Sequence, residues 1–416
     1  MLKRNHLFTK GKQLLLCLLL SASAQAADDW SFSGFASLGA GRVEDDGVLF
    51  MDYASDEWSF ESDSVVGLHA RGNLAERLSL TMQVVARGYN WDDTDDFEPE
   101  LDWLFLSYQL APEWRLRVGR MRTPHYLYSE TVDVGYSYVW VRPPVDVYAP
   151  ILAPFSNFDG LDITWLTDWN DTSIDMQLLA GHMQRSRDTL EIEVEPVVGG
   201  NISLQKDEIT LRYSLTFDRS DIELGSYQPA EDAYRSFGPV DPVFDELADA
   251  LSAENAWYRY QALGGRWEHG DFALIGEVFD IQNLDEGYDN PATGWYLSLQ
   301  YKLGRFTPYA VAGQFENNFN SDTVDEILGS FNALSVGTIP EMDRLRARNL
   351  ALVRELSYEQ ETWTLGLRVE LLSNLSLKGE WQRFKFEDQT TGQLLQTSHD
   401  VPGSTSVTTF TLDLVF

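Results

Sequence analysis

From Trp30 to the last residue, apolar side chains return at every second position in one segment after another, and this period of two constrains the fold more than any other feature. Trp30, Phe32, Gly34, Ala36, Leu38 and Ala40 alternate with Ser31, Ser33, Phe35, Ser37 and Gly39. Leu78, Leu80, Met82, Val84 and Ala86 alternate with Ser79, Thr81, Gln83, Val85 and Arg87. Ile209 to Asp218, Trp295 to Lys302 and Trp363 to Leu371 repeat the rhythm, so each segment reads as a strand with one apolar and one wetter face. After Ala27 no stretch approaches 18 uninterrupted apolar residues, so no helix of the mature chain can span a bilayer. A chain of this kind is periplasmic, secreted or a membrane barrel.

The links between segments separate these outcomes. One class is very short: 74–78, 111–113, 168–171, 206–208, 268–271, 303–305 and 372–374. The other is long and acidic or irregular: 44–57, 91–100, 121–158, 183–196, 220–256, 282–291, 317–361 and 387–403. The two classes alternate strictly, as an up-and-down barrel with short periplasmic turns and long extracellular loops requires and a Greek-key sandwich does not. Sixteen segments lie between the links, most near the length that crosses an outer membrane at a tilt. The pattern predicts an all-β chain: a transmembrane antiparallel up-and-down β-barrel of 16 strands, wide enough for an aqueous lumen. Helical spacing at 241–255 and 323–334 predicts surface decorations on two of the long loops.

Lys3, Arg4, Lys10 and Lys12 precede the apolar run Leu14 to Leu20, and Ala24-Gln25-Ala26 follows, so residues 1–26 read as a secretory signal and 27–416 as one barrel domain. Cys17 lies within the apolar run, so the mature chain carries no thiol chemistry. The full chain has 65 acidic and 31 basic residues. Removing the signal leaves 27 basic residues and a formal charge of −38, which excludes a phosphate-neutralising nucleic-acid binder. Trp30, Trp103, Trp295, Trp363 and Trp381 fall near strand ends, where interfacial aromatics belong. Gly39-Ala40-Gly41 lacks the third glycine of a dinucleotide loop, and there is no His-Glu-x-x-His. Asp92, Asp93, Asp95 and Asp96 lack the glycine and distal Glu of a calcium loop and read as a solvated loop; loose bridging through divalent ions to lipopolysaccharide is the sharper alternative. No cofactor or metal is expected.

Phe410, Leu412, Leu414 and Phe416 alternate to the very end of the chain, a pattern that resembles the signature recognised by the outer-membrane barrel assembly machinery. A wider resemblance, covering the mature chain in strand plan, is to the general trimeric porins of Gram-negative outer membranes. It is most specific at Arg115-Leu116-Arg117-Val118-Gly119-Arg120-Met121-Arg122-Thr123-Pro124 and at the re-entry Phe158-Asp159-Gly160-Leu161. It implies a homotrimer embedded in outer-membrane lipid and lipopolysaccharide, passing ions and small hydrophilic solutes by passive diffusion. It also implies that the loop 121–158 folds back into the barrel as the constriction. The loop departs from the family's commonest form in its aromatics and prolines, among them Tyr126, Tyr128, Tyr136, Tyr138, Trp140, Tyr148, Pro143, Pro144 and Pro150.

An irregular stretch this long in a membrane protein lies over the surface or inside a wet lumen, because unpaired backbone cannot face lipid. The loop carries Glu130, Asp133 and Asp146, while alternation places Arg71, Arg87, Arg117, Arg212 and Arg368 on the lumen face, with Arg115, His69 and Lys378 as weaker candidates. Acidic loop against basic wall predicts a transverse field that filters solutes by size and dipole. The acidic excess predicts cation preference, opposed locally by the arginines. Two other classes stay open on these residues: an outer-membrane barrel enzyme of the phospholipase or protease type, and a soluble secreted all-β binding protein. The loop aromatics also leave open a carbohydrate-stacking track.

Overall fold

The computed structural model describes residues 29–46, 48–51, 53, 57–89, 97–148, 156–187, 190–224, 228–239, 242–251, 255–285, 291–317, 358–386, 395–397 and 403–416. The expected signal segment 1–26, the aspartates 92, 93, 95 and 96, the helical spacing expected at 323–334 and Pro150 lie outside the described residues.

In chain order the strands are β1 (Trp30–Val43), β2 (Val48–Phe50), β3 (Val65–Ala75), β4 (Leu78–Arg87), β5 (Glu100–Ala111), β6 (Trp114–Arg122), β7 (Asn157–Trp169), β8 (Thr172–Arg187) and β9 (Leu190–Lys206). They continue as β10 (Ile209–Leu224), β11 (Ala256–His269), β12 (Phe272–Asn283), β13 (Ala292–Tyr301), β14 (Phe306–Asn317), β15 (Tyr358–Leu372), β16 (Leu375–Phe386), β17 (Leu395–Thr397) and β18 (Ser404–Val415). All but β2 and β17 form one closed antiparallel barrel of sixteen strands in up-and-down order, sealed by pairing of β1 with both β3 and β18. Phe416 completes the seam: its N–H donates to the Gly34 carbonyl at 2.9 Å, and the Gly34 N–H donates back at 2.8 Å. The Phe416 ring occupies the space that a Cβ at Gly34 would fill, so glycine is required there.

Side-chain alternation sorts wall from lumen along each strand. Leu68, Leu178, Leu263, Leu299 and Leu365 stand exposed on the outside, and Trp295, Trp363 and Trp381 on the same face. An outward apolar band with aromatic rings at its rim is what a bilayer-spanning barrel presents to lipid. Trp103 departs from the expected interfacial position. The β4–β5 register shifts between Gln83 and Val84, which leaves Asp102 as an extra residue. Leu101 and Leu104 therefore remain outside while Asp102 and Trp103 both turn inward, and Trp103 meets His69 of the lumen face.

Four segments differ from the sequence reading. The link expected at 183–196 is largely strand, because β8 and β9 continue to Arg187 and from Leu190. Met183, Ile192, Val194 and Val197 bury together with Phe158 and Met121, so extending the pairing removes apolar surface from water. Pro196, which has no N–H to donate, falls in the register shift between the pairs Asp218↔Val197 and Ser220↔Val194. Residues 58–64, expected as strand, precede β3 as irregular chain tied to β1 by the Gly41↔Ser59 bridge. The first and last long loops contribute β2 and β17, which pair as a separate two-stranded sheet. Helix at Val243–Leu251 fits the expectation for 241–255, and a second helix, Gln228–Phe237, packs on it through Tyr234, Phe237 and Phe244.

Candidate functional site

The loop that leaves β6 begins at a glycine with no substitute. Gly119 has φ of +136°, and a Cβ there would sit 2.2 Å from the Leu104 carbonyl oxygen. Arg120 then pairs with Asp159 across the β6–β7 pair at 2.6 Å, which pins the two stems of the loop together. Beyond Arg122 the chain turns into the lumen.

Its path is fixed by polar contacts to successive strands. Arg212 of β10 donates to the Pro124 carbonyl at 2.8 Å, and Ser214 to that of His125 at 2.6 Å. Glu277 of β12 accepts the Leu127 N–H at 2.8 Å and the hydroxyls of Tyr148 and Tyr296. Trp140 donates its indole N–H to Ser298 of β13 at 3.0 Å. Arg368 of β15 donates to the carbonyls of Tyr136 and Tyr138, each at 2.9 Å. Lys378 of β16 donates to those of Gly135 and Trp140 while pairing with Asp413 of β18 at 3.1 Å. Tyr136 reaches down to the Ser373 carbonyl in the short turn between β15 and β16. The loop therefore crosses from β10 to β18 and descends toward the end of the barrel that carries the short turns.

The aromatics do the packing. Tyr126, Tyr128, Tyr138 and Trp140 bury against Tyr260, Phe279, Tyr296 and Phe315 of the facing wall. Rings buried in this way offer no free face to a solute, so they do not form the carbohydrate-stacking track left open by the sequence. His125 stacks on Tyr260 with ring centroids 4.0 Å apart, and burial, reinforced by Arg212, pushes its imidazole down to about 3. It is neutral at any physiological pH.

The acidic residues of the loop have three distinct environments. Burial alone would raise the Asp133 carboxyl; the guanidiniums of Arg87 and Arg122, at 2.8 and 2.6 Å, outweigh it and hold the group below the usual carboxylate range. Asp146 is buried against β14 and β15, accepts from Gln360 at 2.9 Å and Thr362 at 2.7 Å, and is pushed up to about 6 by that burial. Glu130 alone of the three is largely exposed, 3.8 Å from Arg117. Glu130 and Asp175 of β8 lie close to Arg115, Arg117 and Arg212, so charges of both signs cluster along the wall from β6 to β10.

The five arginines singled out in the sequence are thus dispersed in role. Arg117 pairs with Asp162 at 2.8 Å and lies over the Phe105 ring; Arg212 and Arg368 hold loop carbonyls; Arg87 joins Asp133 to Glu100 and Asp102. Arg71 stands exposed near the middle of β3. Sequence reasoning missed Arg142, which pairs with Asp63 at 2.5 Å and donates to Gln382 and Thr409, and it missed Arg122, Glu277 and Glu380 as anchors. Their partners are distant in the chain, so no local spacing marks them. Phe410, Leu412, Leu414 and Phe416 form the outward row of the closing strand.

The sequence matches no protein-family model and no curated protein. Solved structures do match in fold. The anion-selective porin from Comamonas acidovorans aligns with a TM-score of 0.55 at 13% identity, over 93% of this chain and 99% of that one. The outer membrane channel DcaP of Acinetobacter baumannii aligns at 0.53 and 10% identity, over 95% and 99%. OmpT of Vibrio cholerae, expressed in the outer membrane, aligns at 0.52 and 9% identity, over 95% and 100%. The fold is that of the outer-membrane porins.

Proposed function

We propose that this chain is an outer-membrane porin, a water-filled channel for passive diffusion of ions and small hydrophilic solutes, with 121–158 as its constriction. The observation that carries this reading is the inward loop, which packs its aromatics against the wall of β11 to β14, while Glu130 and Asp175 cluster with Arg115, Arg117 and Arg212 along β6 to β10. Charges of both signs across a wet gap order water and select by size and dipole. Within this reading residues 1–26 direct export, the terminal Phe410 to Phe416 row engages the assembly machinery, and the barrel works as a homotrimer among lipid and lipopolysaccharide. The net acidic charge supports a preference for cations. A hydrolase is the weaker reading, since among the described residues no serine hydroxyl hydrogen-bonds a histidine ring, and His125 is a neutral packing group.

The test is reconstitution. Protein purified from the membrane fraction should migrate differently before and after boiling and should open steady channels in a planar bilayer. Deleting Ser129 to Val141 should raise single-channel conductance and the solute size limit in protein that still shows the heat-dependent shift. Recovery only in the soluble fraction, or unchanged conductance in the assembled deletion, contradicts the reading.

A further inference from the structure

We propose that the inner wall formed by β3, β4 and β5 holds a solute subsite for planar carboxylates, in which the His69 and Trp103 rings take the flat body and Arg71 takes the carboxylate. The inference rests on the channel reading above and names a solute class for it.

The site is assembled by register. His69, Gln83 and Trp103 stand side by side on β3, β4 and β5, and Arg71, Thr81 and Phe105 form the next inward row. His69 and Trp103 meet edge to face over Gln83 with centroids 5.8 Å apart, and Gln83 and Thr81 beneath are nearly closed to solvent. The result is a shelf with a polar floor and two half-buried rings. Trp103 shares the inward row with Phe105 by plain alternation, and the β4–β5 register shift just beyond it turns the extra residue Asp102 inward as well.

Arg71 supplies the charge. It lies two residues beyond His69 toward the short turn, about 7 Å by the rise of a strand. It is exposed, and among the described residues it has no carboxylate within ion-pair distance. In this it differs from Arg87, Arg117 and Arg122, whose carboxylates neutralise them. A guanidinium matches a carboxylate with two parallel hydrogen bonds, and aromatic rings favour a flat apolar partner edge-on or offset. A separation of one strand row suits a ring that bears its carboxylate directly. The inward loop docks mainly on β10 to β16 and β18; near the shelf its Asp133 reaches Arg87 of β4 and its ends at Met121 and Phe158 pack beside Trp103, while among the described residues no hydrogen bond or ion pair from the loop reaches His69 or Arg71.

The experiment records single channels of the full protein in dilute potassium chloride, with sodium benzoate, sodium acetate or benzyl alcohol added. Benzoate should interrupt the current in a concentration-dependent way, with an apparent Kd roughly tenfold below that of acetate or benzyl alcohol. Arg71→Gln should weaken benzoate and acetate alike. Trp103→Leu should weaken benzoate and leave acetate unchanged, while Trp103→Phe, which keeps a ring, should retain the benzoate block. Equal block by benzoate and acetate, or variants that behave as the parent, overturns the subsite while leaving the channel standing. Absence of any current overturns both.

Discussion

Asp146 has a charge that ordinary changes of medium can alter. Its carboxyl is raised to about 6 by burial, so the folded loop favours the protonated form. The burial of Asp146 therefore stabilises the docked loop most below the ordinary carboxyl value of ~3.9, and that contribution is lost as pH rises through about 6, because burying the carboxylate costs more than the bonds from Gln360 and Thr362 return. Open-channel current noise should be low at acidic pH and rise across that window, and Asp146→Asn, neutral at every pH, should remain quiet throughout; noise in that variant that still follows pH would show that another group governs the loop. Arg142 is the opposite case. Burial works against its charge, and Asp63 restores it through a 2.5 Å pair. Arg142→Met leaves Asp63 buried without its cation, held by the Tyr53 hydroxyl, so barrel stability to urea should fall by about 3–5 kcal/mol, measured by the denaturant midpoint of the heat-dependent gel shift. Neither role was legible in the chain. Asp146 reads as one more loop acid, and nothing near Arg142 announces a partner at Asp63. Charge could be read, but not whether it would be spent on anchoring or left to face solute.

Among the elements, the strands were the readable part because each crosses a boundary between water and lipid. That geometry forces a period of two, which Leu78 to Arg87 and Trp363 to Leu371 obey nearly residue for residue. Errors gathered where the boundary is absent. Met183 to Val197 continues β8 and β9 because of tertiary burial, and residues 58–64 alternate in sequence yet lack a partner strand. The position of the inward loop followed from Gly119-Arg120; its course did not, since it depends on carbonyls that carry no side-chain code. Arg368 and Lys378 each hold two of those carbonyls. Lys378→Met should free the turn at 135–140 and leave Asp413 buried without its cation. The expected result is flickering closures at voltages the parent tolerates, with the gel shift retained. A variant with parental gating would place the restraint on the aromatic packing instead. At the seam, deleting Phe416 removes the ring that lies on Gly34, so assembled barrel should decline without a decline in synthesis.

At the scale of the whole molecule, the proposed channel would act on a permeating ion through two fields of different reach. Residues 27–416 carry 38 more acidic than basic residues, and much of that excess falls in long loops such as 91–100. A negative mouth enriches cations, yet its field is screened beyond roughly 8 Å at physiological ionic strength, so it acts chiefly at low salt. The arginines of the open lumen act at contact distance. Most of their charge is already matched: Arg117 by Asp162 and Glu130, Arg87 and Arg122 by Asp102 and Asp133. What remains local is chiefly Arg71, which can retain a carboxylate solute without reversing the bulk current of small ions. A reversal potential measured across a tenfold potassium chloride gradient should therefore have the cation-selective sign, and the preference should shrink as both solutions are made more concentrated. An anion-selective sign would mean that the lumen arginines outweigh the mouth. In that case neutralising Arg71 and Arg115, rather than the paired Arg117, should turn the sign over, because a charge already held by a carboxylate contributes little to the field an ion meets.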